Sequence, residues 1–245
     1  MKFPAELLHY LRAASRVAVL TGAGASQESG LRTFRDAQDG LWAQYRPEDL
    51  ATPQAFAENP RLVWDFYAMR RLKAGEVQPN PGHYALAALE KRFADFTLIT
   101  QNVDGLHQRA GSQKVIELHG SITRARCSAC GFFPENWADS AGDEVPPCPR
   151  CGALLRPDVV WFGETLPPEA LSAAVAAVSR CQAFFSIGTS GLVQPAASLA
   201  FAAKQRGAVV VEINAEATPL TPSADFFFAG RSGEILPTLL DALNE

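Results

Sequence analysis

Four of the five cysteines stand in two CxxC pairs, Cys127/Cys130 and Cys148/Cys151, with 17 residues between them. Each pair lets two thiolates turn onto one ion, and two such knuckles complete a tetrahedral sulfur shell for Zn2+. The residues between the pairs are rich in Pro and Gly and poor in aliphatic side chains, so a metal would supply their folding free energy. Four thiolates leave no open coordination position, which makes the expected ion structural. Four buried thiols or a redox pair is the plainer alternative, but in a reducing compartment the spacing favours metal. The fifth cysteine, Cys181, precedes an apolar run and reads as an inert core residue.

Small and polar residues gather where other apolar runs end. Gly22-Ala23-Gly24-Ala25-Ser26 follows one such run. Two close glycines let backbone approach a diphosphate, and the next helix offers free N–H groups. Gln27 stands where a strict GxGxxG needs glycine, so this turn alone is divided between a dinucleotide loop and an ordinary tight turn. Gly188-Thr189-Ser190 and Asn214-Ala215-Glu216 end two later runs, with Glu216 a candidate acid for a ribose. Gln101, Asn102 and Asp104 end another, and buried amides and carboxylates need a ligand or backbone partner; an Asx-type turn is the alternative. Of the four histidines, His119 also follows a strand-like run and is the best placed base near neutral pH. His107 reads as a packed residue, His9 and His83 as surface or capping residues.

The elements that must position these groups alternate in type. Apolar, β-branched-rich runs at 17–21, 96–101, 115–118, 184–188 and 209–213 read as strands. Helical patterns cover a short N-terminal stretch, 61–73, 167–179, 195–205 and 233–243, with Pro in the first turn of 167–179 and 195–205. Continuous apolar strands alternating with helices predict a parallel sheet covered on both faces, with ligands at the carboxyl ends of its strands. Residues 36–80 hold no convincing strand and 127–157 carry the cysteines; both read as excursions packing together as a smaller module. At 245 residues the chain has room for this. Twenty-two basic against 26 acidic side chains leave a net charge of −4, without the basic footprint of a nucleic-acid binder. No apolar run spans a bilayer, and the first residues lack a signal-peptide pattern, so no membrane partner and a cytoplasmic location are expected.

GAGASQESGLRTFRDAQDGLW, TQNVDGLHQRAG, IELHGS, the two CxxC pairs, VVWFGE, GTS and NAE occur here in the order in which they occur in sirtuins. The chain resembles that family from Thr21 to about Ser232. The resemblance implies an NAD-dependent protein-lysine deacylase with a Rossmann-like parallel sheet covered by helices, formed by residues 1–36, 81–119 and 158–245. It further implies a small domain made of a helical insertion, 37–80, and a zinc ribbon, 120–157, with acyl-lysine peptides entering the cleft between the two. Gly22, Ala23, Gly24 and Ser26 would line the NAD diphosphate, and Ala25 would lie against the cofactor near nicotinamide. Phe34 and Arg35 would sit near the reacting ribose, Gln101 on ribose, and Asn102 and Asp104 on the nicotinamide side. Gly188, Thr189, Ser190, Asn214 and Glu216 would cradle the adenosine half, with Ser232 near adenine. His119 would be the general base, and Val160, Phe162, Gly163 and Glu164 would border the acyl-lysine tunnel. Products would be free lysine, nicotinamide and O-acyl-ADP-ribose. The family carries a β-branched residue where Ala25 stands, so cofactor placement and nicotinamide inhibition are expected to differ here.

Tyr67 and Arg70 lie three apart on a helix, which puts phenol and guanidinium on one face. Such pairs are commonly half-exposed surface residues. In a sirtuin frame this YxxR pattern resembles the subclass that removes succinyl, malonyl and glutaryl groups, because an arginine fork and a phenol together bind a carboxylate. Acidic-acyl removal with some deacetylation is therefore expected, against strict deacetylation. An NAD glycohydrolase or ADP-ribosyltransferase on the same scaffold is a second enzymatic reading. A zinc-ribbon binding module is a third, and it leaves the polar strand ends unexplained.

Overall fold

The computed structural model describes residues 2–31, 45–46, 49–137 and 144–245. Phe34 and Arg35 lie outside the described residues. The strands in chain order are β1 (Arg16–Thr21), β2 (Asp95–Thr100), β3 (Val115–Glu117), β4 (Gly120–Cys127), β5 (Leu155–Val159), β6 (Ala183–Ile187), β7 (Val209–Asn214) and β8 (Phe226–Ala229). The helices are α1 (Ala5–Ala13), α2 (Gly24–Gln27), α3 (Pro53–Glu58), α4 (Pro60–Glu76), α5 (Pro81–Arg92), α6 (Leu106–Arg109), α7 (Pro168–Arg180), α8 (Ser198–Gln205) and α9 (Ser232–Asn244). No helix among the described residues is long and apolar enough to cross a membrane.

Six strands form one parallel sheet in the order β3-β2-β1-β6-β7-β8, a Rossmann-like arrangement. Its four inner strands, β2, β1, β6 and β7, are buried on both faces because alternate residues serve opposite layers. Val17 and Val19 of β1 join Leu7 and Leu11 of α1, Leu86 and Leu89 of α5 and Leu236 and Leu239 of α9 on one face. Ala18 and Leu20 face the other way, onto Val178 of α7 and Leu199 and Ala203 of α8.

Several boundaries depart from the sequence reading. The helix expected from Pro195 begins at Ser198, and residues 195–197 form a turn. The short edge strand β8, Phe-Phe-Phe-Ala, was not anticipated; it is confined to four residues between Asp225 and Gly230. The antiparallel pair β4–β5 was also missed, because its strands carry Arg124, Arg126 and Arg156 and lie far apart in sequence. Helix α4 starts one residue earlier than expected, where the Asn59 side chain accepts from the Leu62 N–H at 3.0 Å.

Helix α4 packs against that hairpin. Val63, Phe66 and Tyr67 meet Ile122 of β4, Val159 of β5 and Trp161 in one apolar cluster. Trp64 meets Ala125, Cys127, Cys148 and Leu155 in a second.

The strand order reverses between β1 and β6, so the crevice opens at the carboxyl ends of those two strands. There the two following turns lock together through backbone. Gly22 N–H donates to Ile187 O at 3.0 Å and Gly24 N–H to Gly188 O at 2.8 Å. A Cβ on Gly188 would lie 2.3 Å from Ala25 N, and its φ of +58° is left-handed. Gly188→Ala therefore combines the left-handed cost of about 1–2 kcal/mol with a clash that must push the turns apart. We expect a loss of at least about 2 kcal/mol of stability, read from the denaturant midpoint; an unshifted midpoint would show that the turns separate freely.

Candidate active site and metal centre

A closed hydrogen-bond network underlies the glycine turn. Ser26 Oγ donates to Asp104 Oδ2 at 2.8 Å. Asn102 Nδ2 donates to Gly22 O at 3.0 Å and to Ser26 Oγ at 3.1 Å. Asp104 Oδ1 accepts the Leu106 N–H at 2.9 Å, an Asx-type turn that leads into α6. Asn102 N–H donates to Thr100 Oγ1 at 3.0 Å, so the end of β2 turns toward β1. The expected residues Gly22, Ser26, Asn102 and Asp104 thus meet in space, joined by groups the sequence did not single out.

Chief among those groups are two buried imidazoles. His107 Nε2 lies 2.9 Å from Thr21 Oγ1, and Thr21 Oγ1 donates its hydrogen to Thr100 Oγ1. His83 Nδ1 accepts the Asn80 N–H at 3.2 Å within a capping box that opens α5. Its ring lies 4.7 Å from that of His107. His83 is therefore a capping residue, as one reading had it, but only 1% exposed rather than at the surface. Burial pushes its pKa down to about 4, against partial support from Asp104. Burial, with the neighbouring His83, brings His107 to about 3. The Asn80-Pro81-x-His83 spacing was the available signal for the cap; nothing local announced the burial.

On the other side of the crevice Gln101 Nε2 donates to Thr189 Oγ1 at 2.9 Å, and Asn214 Nδ2 donates to Thr189 O at 2.9 Å. These bonds draw the ends of β2, β6 and β7 together. Ser190 is half-buried beside them, and Glu216 lies exposed two residues past Asn214. Ser232 is buried at the start of α9, where the next residue's N–H donates to Glu28 Oε2 at 2.8 Å.

His119 occupies the turn between β3 and β4. Its Nδ1 lies 3.0 Å from Gln101 O. A carbonyl oxygen only accepts, so Nδ1 carries the proton and Nε2 keeps its lone pair. Burial lowers the His119 pKa from its usual 6.5, with the Gln101 carbonyl pulling the other way. The ring is thus neutral at pH 7 and basic at Nε2. His119 O accepts the Val160 N–H at 3.0 Å, which ties the histidine to the segment after β5. In that segment Phe162 is 49% exposed and Gly163 exposed with a φ of +85°. Glu164 turns its carboxylate inward, accepting from Arg156 at 2.6 and 2.8 Å and from the Trp161 N–H at 2.8 Å.

Tyr67 and Arg70 lie on the face of α4 turned to this segment. Tyr67 is fully buried and Arg70 half-buried, which is not the half-exposed surface pair of the plainer expectation. Burial raises the Tyr67 pKa to about 12, with Arg70 lowering it in part. Burial also lowers the Arg70 pKa, offset by Tyr67 and Asp104.

The four cysteine sulfurs lie within 4.8 Å of one another. Cys127 and Cys151 Sγ are 3.4 Å apart and Cys130 and Cys148 Sγ 3.9 Å. A tetrahedral ZnS4 centre with Zn–S of about 2.3 Å needs sulfur separations of about 3.8 Å, so the four residues fit zinc. They fit no disulfide, whose sulfurs bond at about 2.05 Å. Peptide N–H groups of Ala129, Cys130 and Arg150 point at Cys127 or Cys148 Sγ at 3.4 Å and favour the thiolates.

Residues 22–195 match the Sir2 family. A protein of Pyrococcus abyssi named NAD-dependent protein deacylase is 48% identical over 240 residues, covering 96% of each chain. The solved structure of a Sir2 homologue in complex with NAD superimposes with a TM-score of 0.94 at 48% identity, covering 99% of this chain and 94% of the other. A Sir2–p53 peptide–NAD+ complex superimposes at 0.85 with 33% identity, covering 98% of each chain. The chain belongs to the Sir2 family.

Chelating the metal should release one Zn2+ per chain and abolish the near-ultraviolet signal of Trp64 and Trp137, which are packed edge to face at 5.5 Å beside the cysteines. The far-ultraviolet signal of the parallel sheet should persist. Zinc loss with an unchanged near-ultraviolet spectrum would show that the metal does not order this module.

Proposed function

We infer that this chain is an NAD-dependent protein-lysine deacylase. The observation that carries the reading is the fixed tautomer of His119. Its Nδ1 is held by Gln101 O, its Nε2 is left basic, and its own carbonyl anchors the segment that faces a substrate. The curated relative's name and the NAD-bound and peptide-bound Sir2 structures support it.

NAD would supply a ribose that receives the acyl group and a nicotinamide that leaves. The residues present fit it. Gly22, Ala23, Gly24 and Ser26 would hold the diphosphate, Gln101 the ribose, and Ala25, Asn102 and Asp104 the nicotinamide side. Gly188, Thr189, Ser190, Asn214 and Glu216 would hold the adenosine half, with Ser232 near adenine. The cleft lies between the sheet domain (1–36, 81–119, 158–245) and the small domain (37–80, 120–157). Residues 160–164 offer backbone to an extended peptide by strand addition, and the acyl-lysine passes between Val160, Phe162 and Gly163, with Glu164 keeping that turn in shape. With NAD bound, His119 Nε2 would be the group to accept a proton from a ribose hydroxyl, and its Nδ1–H on Gln101 O would stabilise the imidazolium. The test is nicotinamide release with NAD alone and with acetyl-, malonyl- and succinyl-lysine peptides; release that ignores the peptide would favour a glycohydrolase or ADP-ribosyltransferase instead.

Acidic acyl groups are the favoured substrates, with acetyl removed as well. Tyr67 supplies a buried phenol and Arg70 a cation beside it, a pair suited to a carboxylate. Arg70→Met should raise KM for a succinyl-peptide by ten- to a hundredfold, one charge-assisted contact, and much less for an acetyl-peptide; equal effects would reduce the pair to scaffold.

His119→Ala should lower kcat by about 10²–10⁴-fold with zinc content unchanged. The base works in its neutral form and its pKa is depressed, so the rate should fall only as pH drops through a value below 6.5. An acidic limb centred above 6.5, or near-normal turnover of the alanine variant, would remove His119 from the role.

A further inference from the structure

Trp161 connects the substrate-facing segment to α4 by one bond, its indole N–H donating to the Tyr67 hydroxyl at 3.1 Å. An indole nitrogen only donates, so the phenol oxygen is the acceptor there. A phenol hydroxyl has two in-plane positions, one for its hydrogen and one for a lone pair. With the indole on one, the hydroxyl hydrogen is confined to the other. Tyr67 is fully buried, and its high pKa keeps that hydrogen in place. Among the described residues the hydroxyl has no acceptor for it; its one hydrogen bond is the one it receives. A buried donor without an acceptor is disfavoured, and Arg70, one helical turn on, adds positive charge to the same place.

The indole is itself immobilised. The Arg156 guanidinium lies 3.4 Å over the Trp161 ring. Arg156 is in turn held by both oxygens of Glu164 and by Val159 O at 2.9 Å. The Phe56 ring packs against the same indole, with centroids 5.4 Å apart.

We propose that Trp161 is a specificity-determining positioning residue: its N–H turns the Tyr67 hydroxyl hydrogen toward the acyl tunnel and so biases the enzyme toward acyl groups that end in an anion. This rests on the acidic-acyl reading given above. Neutral acetyl carries no acceptor at that distance along the chain and gains nothing from the directed hydrogen.

The experiment compares kcat/KM for succinyl- and acetyl-lysine peptides of one sequence. Trp161→Phe, which keeps a ring and loses the N–H, should lower the succinyl-to-acetyl ratio about five- to tenfold, the share of one directed hydrogen bond. Trp161→Leu should do the same and serves if the Phe variant does not fold. Adding Tyr67→Phe to Trp161→Phe should lower the ratio less than about twofold further, because the hydroxyl is already undirected. Equal losses on both peptides, or fully additive effects in the double variant, overturn the role of Trp161; if Arg70→Met still lowers the ratio, the acidic-acyl reading stands without it. If Arg70→Met and Tyr67→Phe both leave the ratio unchanged, that reading fails and the proposal with it.

Discussion

The crevice exists because two turns share backbone contact at the point where the sheet reverses its strand order. Gly22 and Gly24 lie against the carbonyl of Gly188 so closely that a Cβ on either would be 2.8 Å from that oxygen. The contact fixes the end of β1 relative to the end of β6. Through Gly22 O and Ser26 it also fixes Asn102 and Asp104. Glycine in this turn is thus required first by the neighbouring main chain. The N–H groups of Gly22 and Gly24 are themselves spent on this contact, donated to Ile187 O and Gly188 O.

Among the described residues, directional hydrogen bonds tie α3, α4 and the β4–β5 pair to this frame. His119 touches the sheet through its ring and the residues after β5 through its carbonyl. Phe162 N–H donates to Ala51 O at 2.9 Å, just ahead of α3. Arg109 of α6 donates to Ala74 O and Val77 O at 2.7 Å, closing the carboxyl end of α4. These bonds hold His119, the segment after β5 and the helix bearing Tyr67 in one register, whereas the apolar clusters beneath them supply adhesion without direction.

Much of this was legible in the sequence. Parallel strands buried on both faces show as short apolar runs, and Val17 to Leu20 could be read without knowing which face each residue serves. Cysteine spacing declared a metal site because coordination geometry leaves few alternatives. What stayed hidden depends on partners remote in sequence. Arg124 pairs with Glu117 at 2.7 Å and Asp158 at 2.9 Å, so β4 and β5 looked like charged loop. His83 looked like a surface cap because the residues packed on its ring arrive from α2 and α6. The Trp161–Tyr67 bond spans 94 positions, and no local pattern encodes it.

The paired imidazoles give the fold a particular sensitivity to acid. An unfolded histidine titrates near 6.5, whereas His83 resists protonation to about 4 and His107 to about 3. Between those limits the unfolded chain binds more protons than the folded one, so folding free energy declines as the solution is acidified below 6.5. The groups responsible sit against Ser26 and Thr21, where β1 runs into the glycine turn. A mildly acidic medium therefore weakens the protein through this turn, while the aliphatic layers on either side of the sheet contribute nothing to that decline.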